Sequence, residues 1–116
     1  MTIGEKANTT WLMGTVDNAT AVQIGGDVHK WRSSVSISNP NATATNAILV
    51  YRQAKNDTTN PTAATMLAGQ YHLRIAGSTV ANIATNADEA IWIVFSAGSG
   101  APYCTEFIKE QFNGNV

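Results

Sequence analysis

A chain of 116 residues with 44% hydrophobic side chains can build one core and is too short to divide between two. Only 13% of its residues are charged and the net charge is −1, so it lacks the basic field that holds a phosphate backbone, and no nucleic-acid partner is expected. The single cysteine, Cys104, rules out an intrachain disulfide and points to folding in a reducing compartment.

In chain order, residues 1–10 are polar and weakly patterned, and they read as an N-terminal arm ordered, if at all, by a neighbour. They contain no apolar core of a signal peptide, so synthesis in the cytoplasm without classical export is expected. Trp11-Leu12-Met13-Gly14 is the first apolar cluster, with Gly14 favouring a short or bulged strand. Asp17-Asn18 is turn chemistry, and residues 20–24 form a short strand with Val22 and Ile24 inward. Gly25-Gly26 predicts a hairpin, from which residues 27–31 return toward the next strand, with a bulge near Lys30 to reconcile Val28 and Trp31.

Residues 33–52 form the scaffold. Val35 and Ile37 alternate with Ser34, Ser36 and Ser38, the period of a strand with one wet face. Asn39-Pro40-Asn41 stops that ladder, because proline has no N–H and asparagine accepts turn dihedrals. The next run puts Ile48 and Val50 on one face and Leu49 and Tyr51 on the other, which requires a central or covered strand. A loop over 53–60 follows, then one helical turn within 61–69 ended by Gly69.

Tyr71, Leu73 and Ile75 alternate with His72 and Arg74 and are expected inside. Gly77-Ser78 turns the chain into a short strand at 79–83. Thr85 to Glu89 has the spacing of a capping box, but the few residues before the next strand favour a turn. The most apolar strand covers 90–95, with Ile91, Ile93 and Phe95 on one face and Trp92 and Val94 on the other. It is far shorter than the roughly 20 residues of a membrane helix, so no membrane partner is expected. Residues 102–108 close the set; the last ten suit a strand or a short helix, and 109–116 read as a tail. Strands at this spacing predict an all-β fold: a single antiparallel β-sandwich of jelly-roll type, with about eight short strands and little helix.

The chemistry-bearing residues do not converge. His29 and His72 are far apart, and Asp27 with His29 would place two ligands on one strand face where a zinc site wants three or four, so no metal and no cofactor are expected. Cys104 sits mid-strand as a buried thiol, without the neighbouring base a nucleophile needs. Asp88, Glu89, Glu106 and Glu110 read as solvated charge rather than a carboxylate pair flanking a cleft. Ala97-Gly98-Ser99-Gly100 lacks the Lys-Ser/Thr and the helix of a phosphate loop. No catalytic residue is therefore assigned. Trp11, Trp31, Trp92 and the tyrosines would stack on sugar rings if exposed, but most lie in apolar-patterned strands and favour core or subunit interface.

The succession Val35-Ser36-Ile37-Ser38-Asn39-Pro40-Asn41, Ile48-Leu49-Val50-Tyr51-Arg52, Leu67-Ala68-Gly69-Gln70-Tyr71-His72-Leu73, Ala90-Ile91-Trp92-Ile93-Val94-Phe95 and Tyr103-Cys104-Thr105-Glu106-Phe107 resembles small β-sandwich virion proteins of tailed bacteriophages. These are capsid decoration (cement) and head accessory proteins, and the likeness covers roughly residues 31–108 in strand rhythm and turn style. It implies a non-enzymatic protein on the capsid surface, bound to the major capsid protein and often trimeric. The alternative from the residues alone is a carbohydrate-binding, lectin-like module. For a homo-oligomer, Trp92 and Val94 are the candidate seam, since a second apolar face needs cover. A second layer within the chain would cover it equally well.

Overall fold

The computed structural model describes residues 2–12, 14–24, 32–86 and 89–112. The elements are β1 (Thr2–Leu12), β2 (Val22–Gln23), β3 (Arg32–Ser38), β4 (Ile48–Gln53), α1 (Ala63–Leu67), β5 (Leu73–Ile75), β6 (Val80–Ala84), β7 (Ala90–Phe95) and β8 (Tyr103–Phe112). They form two four-stranded sheets, ordered β1-β8-β3-β6 and β2-β7-β4-β5, in which every pairing is antiparallel. The pairs β1·β8, β2·β7, β3·β6 and β4·β5 are nested, as in one long two-stranded ribbon folded at its middle. Wound up, that ribbon lays alternate pairs in opposite sheets, which is a jelly roll. Among the described residues no helix is long and apolar enough to cross a membrane.

The alternation seen in the sequence decides which side chains meet between the sheets. Val35 and Ile37 of β3, Ile83 of β6 and Cys104 of β8 face Ile48 and Val50 of β4, Ile75 of β5, and Ile91, Ile93 and Phe95 of β7. The outer face of β7 and β4 receives a second layer. Thr62 caps α1 by accepting from the Thr65 N–H, and Thr65 Oγ1 accepts in return from the Thr62 N–H. Gly69, at φ +113°, takes the chain out of the helix in a conformation that suits glycine. Ala63 and Met66 lie on Leu49 and Val94, so Val94 is buried by its own chain. That corrects its assignment as a subunit seam. Trp92 stays half-buried.

Several expectations change for one reason, that backbone pairing leaves no pattern in side-chain type. Residues 2–10, expected as part of an arm, are a strand, since β1 pairs with β8 from Thr2↔Phe112 to Leu12↔Tyr103, with a bulge between Ala7 and Thr9. Residues 109–112 belong to β8, so the closing segment is a strand. β2 and β3 lie in different sheets, and the hairpin expected at Gly25-Gly26 falls outside the described residues. The bulge near Lys30 falls outside the described residues. Tyr71 and Leu73 are exposed and only Ile75 is buried, because Tyr71 precedes β5 and Leu73 starts it on the open edge of the sheet.

Gly77 carries a sharp test of this packing. A Cβ there would meet the backbone carbonyl of Thr43 and come within 2.6 Å of the Asn41 oxygen. Backbone cannot swing aside, so Gly77→Ala is expected to cost about 1–3 kcal/mol or more in urea unfolding. An unchanged midpoint would contradict the close approach of the β3–β4 and β5–β6 links.

Candidate functional site

The outer face of β4 runs Leu49, Tyr51, Gln53. Leu49 lies under α1, while Tyr51 and Gln53 lie beside the loop over 54–60 that leads back to the helix. Gln53 is buried, and its Nε2 donates to the Asp57 carbonyl (3.0 Å), the Thr59 carbonyl (3.2 Å) and Asn60 Oδ1 (3.0 Å). Trp92, opposite Tyr51 in register, donates its indole N–H to Gln53 Oε1 at 2.8 Å. Asp57 shapes the loop from within: Oδ1 accepts from the Thr59 N–H (3.0 Å) and Oδ2 from the Tyr51 hydroxyl (3.1 Å). Donating to that carboxylate holds the Tyr51 phenol above its ordinary pKa. Between this loop and α1 lies a groove of about 220 Å³, lined by Tyr51, Asp57, Thr59, Asn60, Thr65 and Gln70.

Arg52 takes the inward parity of β4 beyond Val50 and spans the mouth of the sandwich. Its Nε and Nη2 reach Glu89 Oε1 at 3.1 and 3.0 Å, and Nη2 donates to the Ala84 carbonyl of the other sheet at 2.9 Å. His72 Nδ1 accepts the Arg52 backbone N–H at 2.9 Å, so the ring N–H sits on Nε2. Its ring lies 4.8 Å from that of Tyr51. A cleft of about 450 Å³ opens here between β5 and β6, with Leu73 and Ile83 on its walls.

The residues singled out from sequence scatter over the molecule. Glu89 and Glu106 are buried at 6% and 2% exposure, not solvated as expected. Glu89 directly precedes β7 and meets Arg52; Glu106 takes the inward parity of β8, opposite Val35. Cys104 is fully buried, and burial pushes its thiol up to about 12. Gly98-Ser99-Gly100 forms a clasp, in which Asn41 Nδ2 donates to the Ser99 carbonyl and Gly100 exchanges backbone hydrogen bonds with Val16. Asp27, His29, Trp31 and Asp88 fall outside the described residues, as do the side chains of Trp11 and Glu110. Among the described residues no three His, Cys, Asp or Glu side chains gather as a metal site. Sequence reasoning passed over Gln53, Asp57 and Asn60. The available signal was a glutamine on the covered face of an apolar strand, followed by the Asp57-Thr58-Thr59 spacing of an Asx turn.

Comparison with protein-family models, with curated proteins and with solved structures found no match for this chain.

Gln53→Leu removes the shared donor and is expected to destabilise the fold by about 1–3 kcal/mol. Hydrogen exchange should speed up at Asp57 and Thr59 and leave β3 unaffected, while equal protection in both proteins would refute the role of Gln53. Cys104, the sole thiol, should resist an aromatic disulfide reagent at pH 8 in the native protein and react fully in denaturant. Its folded pKa lies above the unfolded value of about 8.5, so its contribution to stability is complete below that pH and fades as pH rises toward 12. Rapid labelling of native protein would contradict the burial.

Proposed function

We propose that this chain is a non-enzymatic structural protein of a virion, a decoration (cement) protein that binds the major capsid protein and stabilises a tailed-phage head. The supporting observation is the contrast between the outer faces of the two sheets. That of β7 and β4 is covered by α1 of the same chain. That of β3, β6 and β8 carries Ser34, Ser36 and Ser38, then Val80, Asn82 and Ala84, then Tyr103, Thr105 and Phe107, with no charge among these described positions. Ser38 lies between Val80, 62% exposed, and Tyr103, 50% exposed. Few side chains on this surface lose much rotamer freedom or need a counter-ion when it is covered, which suits it to lie against a protein shell. The jelly-roll framework, common in viral capsid domains, fits the same reading.

The mechanism is collective. Each copy adds a modest contact, and a symmetric array of copies bridging neighbouring shell subunits holds the shell together by avidity. A trimer is the proposed unit, with the exposed Val80–Tyr103 region in contact with the shell or with a neighbouring copy. Co-sedimentation with empty phage heads tests the proposal. The wild-type chain should pellet with heads and raise their thermal disruption temperature, whereas Ser36→Lys, which puts a charge mid-face, should fold normally and stay in the supernatant. Absence of wild-type binding, or full binding by Ser36→Lys, would sink the face assignment. Light scattering should give three chain masses, and a single chain mass would remove the trimer.

A further inference from the structure

The groove between the 54–60 loop and α1 is organised beyond what anchoring the loop requires. Asp57 spends one lone pair of each carboxylate oxygen on Tyr51 and Thr59, which leaves acceptor capacity on both oxygens. No cation pairs with it among the described residues. Asn60 accepts from Gln53 through Oδ1, which leaves both Nδ2 donors without a partner among the described residues. The exposed Gln70 carboxamide on the same groove is likewise unpaired among the described residues. Asp57 and Asn60 are fixed before any ligand arrives, because buried Gln53 pins the loop at three points and Trp92 pins Gln53. Preorganisation of this kind lowers the entropy cost of binding.

We propose that this groove binds a single neutral sugar residue. A carboxylate beside amide donors complements adjacent hydroxyls, each of which donates to the carboxylate and accepts from an amide N–H. The Tyr51 ring on the groove wall offers an aromatic surface to the C–H face of a pyranose. Asp57 repels anions. A hard cation would want six or more oxygen ligands, where the groove supplies one carboxylate. Its volume, about 220 Å³, lies below the usual range for larger ligands and suits one ring rather than an oligosaccharide chain. The site is on the covered sheet, away from the outer face of β3, β6 and β8, and stands whether or not the chain binds a capsid.

The test is a ¹⁵N–¹H NMR titration of the full chain. The probes are glucose, galactose, mannose, rhamnose, N-acetylglucosamine and N-acetylgalactosamine at millimolar concentration, with sialic acid as the anionic control. At least one neutral sugar should shift the amides of 57–60 together with the Gln70 side chain, and sialic acid should shift none of them. Asp57→Asn and Gln70→Ala should each weaken that binding roughly tenfold or more. Gln70 makes no side-chain bond within the described chain, so its variant keeps the fold intact even if Asp57→Asn disturbs the loop. Silence from every neutral sugar, undiminished binding by Gln70→Ala, or binding that disappears with a chelator would each overturn the assignment.

Discussion

The β4–β7 pair must be kept from water on both faces, and much of the molecule answers that demand. Ile48, Val50, Ile93 and Phe95 point to the opposite sheet, while Leu49 and Val94 point away from it. A helix of five residues is far too short to persist alone in water. Ordering its backbone costs about 1–2 kcal/mol per residue. Burial of Leu49, Val94 and Met66, at about 1.5–3 kcal/mol each, is of the same size. The reciprocal Thr62–Thr65 bonds and the glycine stop then tip the balance, and α1 exists because β4 and β7 need a lid.

Polar groups complete the two ends of the sandwich. At the end holding the β3–β4 link, Asn39 is almost fully buried, and its Nδ2 donates to the carbonyls of Asn46 and Ile75, both at 3.0 Å. Its Oδ1 accepts from the Asn41 N–H, and Asn41 in turn holds Thr43 and Ser99. An unsatisfied buried amide would cost more than each of these bonds contributes, so this network specifies one arrangement of the links. At the other end Arg52 joins Glu89 to the Ala84 carbonyl and so ties the second sheet to the first.

The same construction separates two surfaces. Covering the β7–β4 face required a long β4–β5 connection, and its loop, pinned by Gln53, carries the polar groove. The face of β3, β6 and β8 has no such helix over it, and Ser34, Ser36, Ser38, Asn82 and Thr105 share its outward parity with the exposed Val80 and Tyr103. A surface of low charge available for partners and a small preorganised groove thus follow from one asymmetry in how the sheets are covered.

Side-chain periodicity was enough to reveal an antiparallel sandwich, the inward set Val35, Ile37, Ile48, Val50, Ile91, Ile93 and Phe95, the helical turn ended by Gly69 and the burial of Cys104, since period and polarity are written in local sequence. It also posed the right question about Trp92 and Val94 without answering it. Only the tertiary structure decided that Val94 lies under Met66, that residues 2–12 are a strand rather than an arm, and that Glu89 meets Arg52. Each depends on partners distant along the chain: a backbone ladder that any residue type can join, or an ion pair whose members lie 37 positions apart. The Gln53–Asp57–Asn60 groove was hidden for a related reason, because a glutamine's role depends on which carbonyls the folded loop brings to it, and that arrangement exists only once the sheet beneath it has formed.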